Sequence, residues 1–456
     1  MAEDEKTKKR VLWVTYINIV LYALSYQLQR PVEPYLIQSL VEKENNNNNG
    51  LTKSSTNSIN QTYGNLQSFF SLCQMFGSPL VGILLDRIGI RKTSCIVFLA
   101  SAISYAILAS ATNLTLLFVS KIPTVLQAAF LCAQATAATT MGENASLRAA
   151  ALGRMTTAYT IGATIGPILG GYLAANGDFY FSAKVAVVGS LLSALLSLLF
   201  LPDNNNNCND DNDDDTTMLR NKDKSVTVAP ATGTNEKKKR NLRDDIHHTI
   251  EIATRHDIWP LLMVKIIGGV CASMHSTSLP LILTQTLHLE PQQLGLVMSC
   301  GMFAVAVFGA FAMGIMNRIL GSFGMMNTGL LARSISGLTV AGVVVVYSTD
   351  IAPVTTEFIL MQVIVVSIVH QLSQHILATG LTTLTTGSIN QDEQGSLLGI
   401  EHSLFSLSRT FGPFLGTIIL EYGGIFPVEM TCGSLDVLSV LLLSLTLPHL
   451  SKRKST

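Results

Sequence analysis

Twelve long apolar stretches, separated by polar segments, run along this chain of 456 residues. Each stretch is about 18 to 26 residues long, and about 20 helical residues cross a bilayer core of about 30 Å. The approximate spans are 12–29, 63–84, 93–111, 115–139, 153–174, 180–200, 259–284, 293–314, 326–346, 357–382, 396–419 and 425–447. We therefore predict an all-α membrane protein with twelve transmembrane helices.

The second half of the chain repeats the first half at an offset of 246 residues. The glycine pattern that begins at Gly153 returns at Gly399, and Gly166 returns as Gly412. A duplicated membrane unit usually has its binding site between the two copies, near the middle of the bilayer. The repeat therefore predicts two pseudo-symmetric bundles with a site at their junction.

The segment between the halves differs from both in composition. It opens with NNNNCNDDNDDD and later carries a basic run, and it lacks the apolar residues that a core requires. We predict a six-helix bundle at 1–202, a largely disordered cytoplasmic linker at 203–257 and a second six-helix bundle at 258–456. The first half also has about 15 extra residues around ENNNNNG, which we predict to be disordered.

Composition agrees with a membrane protein, since 48% of the residues are hydrophobic and 13% are charged. The formal net charge is zero, but lysines and arginines concentrate in segments on the side of the N-terminus. The positive-inside rule then predicts a multi-pass protein with both termini in the cytoplasm, in a plasma or organelle membrane. Seven cysteines without a CxxC pair predict neither a disulfide framework nor a zinc site.

A polar turn joins the second and third spans. Gly89 can supply a backbone angle that other residues disfavour, and Asp86 can pair with an arginine or a helix end of a neighbouring helix. We interpret the turn as a latch that locks one conformation, although an ordinary basic turn uses the same residue types. The motif consists of Gly82, Asp86, Arg87, Gly89, Arg91 and Lys92.

A second motif lies on the fifth span and consists of Gly153, Gly162, Gly166, Pro167, Gly170 and Gly171. Glycines four residues apart give a flat helix face that another backbone can approach closely, and Pro167 permits a kink. We expect these residues to pack the interface that moves during function. The eleventh span has Ser408 and Thr417 where the fifth has glycines, which predicts a looser contact there.

Both motifs resemble signatures of the major facilitator superfamily. The first is similar to its loop between helices 2 and 3, and the second to the helix-5 signature of its drug:proton antiporter branch. Segments such as LFVSKIPTVLQ and GSLLGIEHSLFSLSRTFGP also resemble organic cation transporter-like members of solute carrier family 22. The resemblance implies a twelve-helix fold that switches between outward-open and inward-open states, with helices 1, 4, 7 and 10 around the cavity.

Charged and polar groups within the spans are the candidate site residues, because a central lysine or arginine costs roughly 2.5 to 3.5 kcal/mol to insert. Hydrogen bonding between helices is the alternative for the polar ones. The candidates for binding solute or protons are Tyr22, Tyr26, Lys121, Lys265, His370, Gln371, Gln374, Glu401 and Arg409. We expect Lys265 to contact the solute and Glu401 to exchange protons, with neutral or anionic solutes carried at least as well as cations.

The sequence therefore predicts a secondary active transporter that moves a small organic solute by alternating access, with proton antiport. The alternative is a transport-inactive membrane scaffold or regulator that keeps the fold, and the two retained motifs favour the transporter. No GxSxG, HExxH or phosphate-loop pattern indicates an enzyme. We expect no cofactor, metal or nucleic acid, and a functional monomer whose partners are the solute, the proton and the lipid bilayer.

Overall fold

The computed structural model describes residues 2–47, 55–141, 145–202, 251–348, 356–388 and 394–446. These residues are helical apart from short connections, and no β-strand occurs among them. The helices are α1 (Ala2–Gln27), α2 (Glu33–Asn47), α3 (Ser55–Ala109), α4 (Leu114–Val119), a 3₁₀ helix (Ile122–Leu126), α5 (Ala129–Met141), α6 (Ala145–Ala174), α7 (Phe181–Phe200), α8 (Trp259–Gln285), α9 (Pro291–Phe311), α10 (Met313–Ser348), α11 (Thr356–Gly387), α12 (Gln394–Gly423) and α13 (Ile425–Thr446).

Ten helical segments in the described ranges are long and apolar enough to cross a membrane, so the chain is a multi-pass integral membrane protein. Each of the twelve predicted spans overlaps a helix. Two of these helices, α1 and α6, are not among the ten. Helix α1 begins with a charged segment, and α6 is rich in glycine and threonine. The predicted linker at 203–257 lies outside the described residues except for 251–257.

The second and third predicted spans belong to one kinked helix. They form the two arms of α3, and the kink lies at Gly89, whose φ is 80°. The positive φ agrees with the backbone angle expected of this glycine. A matching kink occurs in α10 at Gly321, whose φ is 67°. The two kinks occupy corresponding places in the two halves of the chain.

The fourth predicted span, 115–139, is broken in the structure, which corrects the expectation of one continuous helix. The chain passes from α4 through the 3₁₀ helix to α5. Pro123 lies in the first turn of the 3₁₀ helix, and the amides of Thr124 and Gln127 bond to carbonyls three residues earlier. The break sets Lys121 at the start of the 3₁₀ helix.

The extra residues of the first half are not all irregular, which corrects the prediction that they are disordered. A helix, α2, extends from Glu33 to Asn47, and residues 48–54 lie outside the described part of the chain. Its apolar residues Ile37 and Val41 join a core cluster that also contains Leu281 of α8. We call the face of the bundle where α1 ends the distal face, and the face where α1 begins the proximal face. Helix α2 covers part of the distal face.

The two halves of the chain meet tightly near the distal face. A Cβ atom on Gly171 of α6 would lie 2.2 Å from the carbonyl oxygen of Pro291 in α9, and one on Gly295 would lie 2.3 Å from that of Pro167. The other crossing joins α3 and α12, where a Cβ on Gly64 would lie 2.2 Å from Oγ1 of Thr417. Close backbone contact between the halves therefore depends on small residues at both crossings.

The looser contact expected at the second glycine face stays a prediction, although small residues have exchanged positions between the two helices there. In the first half, a Cβ on Gly162 would lie 2.8 Å from Cβ of Ala23 in α1. In the second half the glycine is on the other helix, and a Cβ on Gly269 of α8 would lie 2.8 Å from Cβ of Ser408. Ser408 Oγ also donates a 3.1 Å hydrogen bond to the carbonyl of Ile266. Both helix pairs therefore have a close approach at a glycine.

Candidate functional site

Two neighbouring cavities occur in the described structure, one within the N-terminal half and one at the junction of the halves. The first cavity lies in the N-terminal half and is lined by Tyr26, Gln29, Arg30, Glu33, Gln67, Phe70, Ser104, Tyr105, Leu108, Lys121, Thr124 and Gln127. The second cavity has walls from both halves and is lined by Arg30, Tyr63, Gln67, Ser71, Ser273, Ser276, Thr277, Arg409 and Pro413. Arg30 and Gln67 line both, so the two cavities are neighbours.

Aromatic rings and a neutralised ion pair form the first cavity. The Lys121 ammonium donates to Oε1 of Glu33, and the Gln67 amide donates to the other oxygen of that carboxylate at 2.6 Å. Phe70 stacks on Tyr26 with 5.7 Å between ring centroids, and Nζ of Lys121 lies 5.6 Å from the Phe70 centroid. This cavity therefore offers aromatic faces and no net charge from Lys121 and Glu33.

The second cavity has two arginines from opposite halves. Arg30 follows the end of α1 and lies beside the Tyr26 hydroxyl, while Arg409 comes from α12. Neither guanidinium has a carboxylate within 4 Å among the described residues, and both oxygens of Glu33 already have partners. The cavity is therefore positively charged and is also lined by hydroxyl groups.

Lys265, which we expected to contact the solute, is instead neutralised away from both cavities. Its ammonium donates to Oε2 of Glu401 on α12, and that carboxylate is buried. The other oxygen of Glu401 has no hydrogen-bond partner in the described part of the chain. Two candidates chosen separately from the sequence therefore form one ion pair.

The predicted polar stripe of α11 faces neighbouring helices. His370 stacks on His275 of α8, while a Cβ on Gly301 of α9 would lie 2.1 Å from Nε2 of Gln371. Nε2 of Gln374 is buried and has no partner among the described residues. Tyr22 packs against the apolar cluster around Val81 and Ala129. These side chains do not line either cavity, so of the candidates only Tyr26, Lys121 and Arg409 do.

Sequence reasoning missed five charged residues that the structure places in buried or site positions. Arg30 and Glu33 come just after the first predicted span, and the turn between α1 and α2 brings both to the first cavity. Arg333, Glu429 and Asp436 lie within predicted spans and are buried. The available signal was a charged residue inside an apolar span, which is costly and therefore informative.

The two glycine-containing motifs differ in what the structure describes. The side chain of Asp86 lies outside the described atoms, whereas Nε of Arg91 donates a 2.6 Å bond to the Leu201 carbonyl at the end of α7. Arg87 and Lys92 are exposed. The turn thus connects α3 to the end of α7 on the proximal face.

Most glycines of the second motif contact α1 within the same half. A Cβ on Gly162 would lie 2.5 Å from the Val20 carbonyl oxygen, and one on Gly170 would lie 2.1 Å from that of Leu28. Gly171 instead faces α9 of the other half. The motif therefore combines packing within one half with a single crossing to the other.

Family comparison decides the class of this fold. A family model of the Major Facilitator Superfamily matches residues 15–356 and 261–456. The chain belongs to the major facilitator superfamily. The predicted superfamily is thereby confirmed, and the chain is a membrane transporter of that superfamily rather than an enzyme.

Individual relatives in the superfamily are distant. Mouse solute carrier family 22 member 18 is 25% identical over 425 residues, which cover 92% of this chain and 91% of that protein. The class H tetracycline resistance protein of Pasteurella multocida is 29% identical over 186 residues, or 40% of this chain and 42% of that one. The solved structure of the human organic anion transporter MFSD10 (TETRAN) has a TM-score of 0.63 at 18% identity, covering 96% of this chain and 99% of that one.

Proposed function

We propose that this protein moves a small organic solute with an anionic group across a membrane by alternating access. The observation that carries the proposal is the convergence of Arg30 and Arg409, from opposite halves, on one polar cavity. Arginine binds carboxylate and related anions through paired, charge-assisted hydrogen bonds. An anionic group between the two residues would offset part of their positive charge and connect the halves.

The aromatic walls of the first cavity suit the organic part of such a solute. Tyr26, Phe70 and Tyr105 line the first cavity. Arg30 and Gln67 line both cavities. A solute with an aromatic or aliphatic body could then place its charge between the arginines and its body against these rings. Relatives named for drug or tetracycline resistance support an organic solute as cargo.

The proposal includes the arrangement of the helices. We take α1 and α6 as two further spans, which completes twelve helices in two six-helix bundles at 1–202 and 258–456, joined by the segment 203–257. Close packing at the distal face belongs to one end state. The close crossings at Gly64, Gly171 and Gly295 lie near that face. We therefore propose that the solute reaches the site from the proximal side in this conformation.

The remaining expectations from the sequence complete the proposal. Both termini lie in the cytoplasm, so the distal face is the outer one, and the functional unit is a monomer. Transport is coupled to protons by antiport. The positive-inside distribution of lysine and arginine supports the orientation, and the buried carboxylates paired with a lysine or a histidine are the candidate proton carriers.

Asp86→Asn is expected to leave the protein inserted and folded while reducing transport strongly. The substitution removes the charge of the proposed latch but retains the side-chain volume. Solute uptake per molecule in proteoliposomes measures the effect, with membrane abundance matched to the wild type. Wild-type turnover in Asp86→Asn would contradict the latch.

Charge selectivity provides the main test of the function. Three probes of equal size are compared in proteoliposomes: an aromatic carboxylate, its uncharged amide and the corresponding aromatic amine. We expect the carboxylate to be preferred. Arg409→Gln should reduce its uptake at least about tenfold, because a charge-assisted hydrogen bond contributes about 1.5 to 3 kcal/mol and 1.4 kcal/mol is tenfold.

Lys184→Gln is the matched control, because it removes one positive charge from an exposed lysine outside both cavities. It should leave carboxylate uptake unchanged. Preference for the amine that persists in Arg409→Gln would overturn the proposal of an anionic solute. No uptake of any probe class by the wild type would overturn transport itself.

A further inference from the structure

A buried cluster of titratable side chains lies in the C-terminal half, and its members line neither cavity. Nδ1 of His275 lies 2.6 Å from Oε1 of Glu429, and the His275 ring stacks on that of His370 with 3.6 Å between centroids. Ser336 Oγ lies 3.1 Å from Nδ1 of His370. Helices α8, α10, α11 and α13 each contribute a side chain to this cluster, and the three titratable groups are buried.

The surroundings of the cluster leave Glu429 with one proton-sharing partner. Arg333 of α10 is the nearby cation, and it is occupied by both oxygens of Asp436 and by the carbonyl of Gly268. The other titratable groups that face the cluster are Cys271 of α8 and Cys432 of α13, and each thiol lies near the other's backbone carbonyl. Lys265 of α8 is paired with Glu401.

Gly337 has no side chain and so leaves room for the Glu429 carboxylate in the cluster. A Cβ atom on Gly337 of α10 would lie 2.3 Å from Oε2 of Glu429 and 3.8 Å from Cε1 of His370. Any larger residue at this position would move the carboxylate or the ring. The carboxylate oxygen therefore occupies volume that a side chain on α10 would otherwise fill.

Charge balance determines how many protons the cluster can hold. With one proton between His275 and Glu429, the cluster is neutral overall, either as an ion pair or as two neutral groups. Without this proton, the ionised carboxylate of Glu429 is a buried charge with no compensating positive charge, which is costly in a low-dielectric interior. If both imidazoles were positively charged, the two rings would repel each other strongly, because their centroids are only 3.6 Å apart. One exchangeable proton is therefore the natural occupancy.

We propose that His275, His370 and Glu429 form a proton-binding site that couples proton movement to solute transport. The coupling part rests on the proposed function. Helix α8 connects the two sites, because it carries His275 on the side of the cluster and Ser273, Ser276 and Thr277 at the second cavity. Binding or loss of the proton changes the attraction between α8 and α13, and so changes the wall of the solute cavity.

The proton site can be tested without any solute. Nitrogen NMR of histidine-labelled protein in lipid nanodiscs follows ring protonation with pH, and His275→Gln and His370→Gln assign the two signals. We expect both signals to respond to one shared protonation event, with a midpoint displaced in Glu429→Gln. Glu421→Gln, a partly exposed glutamate outside the cluster, should leave the midpoint unchanged. Midpoints of His275 and His370 that are indifferent to Glu429→Gln would overturn the proton site.

Coupling is tested with the aromatic carboxylate probe in proteoliposomes under a pH gradient of either direction. For one proton per solute, a gradient of about one unit supports about tenfold accumulation, which corresponds to 1.4 kcal/mol. Glu429→Gln should abolish the response to the gradient, while Glu421→Gln retains it. A gradient response that survives in Glu429→Gln would overturn the coupling role.

Gly337→Ala tests the geometry with no change of titratable group. The methyl group would displace the Glu429 carboxylate, so we expect the histidine midpoints and the gradient response to change as they do in Glu429→Gln. Gly342→Ala on the same helix is the control, because a Cβ there meets nothing within 4 Å among the described residues. Equal behaviour of the two glycine variants would contradict the cluster. A titrating cluster in a protein that transports none of the probes would count against the proposed function alone.

Discussion

Asp436→Asn is expected to lower the free energy of unfolding by about 3 kcal/mol, because removing one partner of a buried ion pair leaves the other charge unpaired. Nε of Arg333 donates to Oδ2 of Asp436 at 2.9 Å, and Nη2 donates to Oδ1. Both residues are almost fully buried, at 3% and 1% exposure. Nη1 of Arg333 also donates to the Gly268 carbonyl at 3.0 Å, so the guanidinium cannot turn towards water without losing that bond.

The asymmetry between single and double variants separates a buried charge from lost packing. Replacing Arg333 by methionine and Asp436 by leucine removes both charges, and we expect this double variant to be more stable than Asp436→Asn. The midpoint of unfolding in mixed detergent micelles measures each variant. If the double variant is less stable than Asp436→Asn, the packing of the side chains, rather than their charges, accounts for the loss.

An exposed ion pair supplies the comparison. Lys184 Nζ lies 3.4 Å from Oδ2 of Asp178, and the two side chains are 56% and 46% exposed. Lys184→Met should change the free energy of unfolding by less than about 1 kcal/mol, since pairs in solvent contribute little. A loss in Lys184→Met as large as that in Asp436→Asn would contradict the importance of burial.

The sequence could predict most of the fold because its signals are periodic and redundant. Apolar length located each of the ten helical segments in the described ranges that are long enough to cross a membrane, and the repeat predicted the matching kinks at Gly89 and Gly321. The break at Pro123 was less accessible, because a proline in an apolar stretch is compatible with a kinked continuous helix as well as with separate helices. Helix α2 was hidden because its polar surface and the following asparagines resemble a loop, although Leu36, Ile37, Leu40 and Val41 form an apolar face.

The candidate site was harder to predict, since its chemistry depends on which charges meet. The sequence identified Lys121 and Lys265 as candidate site residues, but not their carboxylate partners, which come from 88 and 136 residues away. Arg30 lies at a helix end and carries no signal of burial in its own segment. Ion pairing depends on tertiary contacts. The cost of placing one charged residue in a membrane span therefore cannot distinguish a lysine neutralised by a partner from an unpaired arginine.

The pairing has a consequence for selectivity. Positive charge in the site comes from Arg30 and Arg409, and not from the lysines that first suggested it. Removing Lys265 would therefore expose the charge of Glu401, which changes the field around the solute in the opposite sense to removing a free cation. That neutral or anionic solutes are carried at least as well as cations stays a prediction, and its basis moves from the lysines to these two arginines.

Gly171→Ala is expected to shift the transporter away from the distal-closed conformation by about tenfold or more. The added methyl would lie 2.2 Å from the Pro291 carbonyl oxygen and 3.0 Å from the Gln292 Cα, so α6 and α9 must separate. Overpacking of this kind costs about 1 to 3 kcal/mol, and 1.4 kcal/mol is a factor of ten. The cost applies only where the helices touch, so a state with the distal face open is favoured.

Spin labels at Ser110 and Tyr422, both exposed near the distal face on opposite halves, measure the opening as a longer distance. Gly153→Ala is the matched control, because it belongs to the same motif and a Cβ there meets no described atom within 4 Å. Both substitutions bring the same gain in helix propensity, so a difference between them reports the crossing alone. An unchanged distance in folded Gly171→Ala would mean that α6 and α9 do not hold the distal face closed, and the close contact at Gly64 would remain as the other candidate for that role.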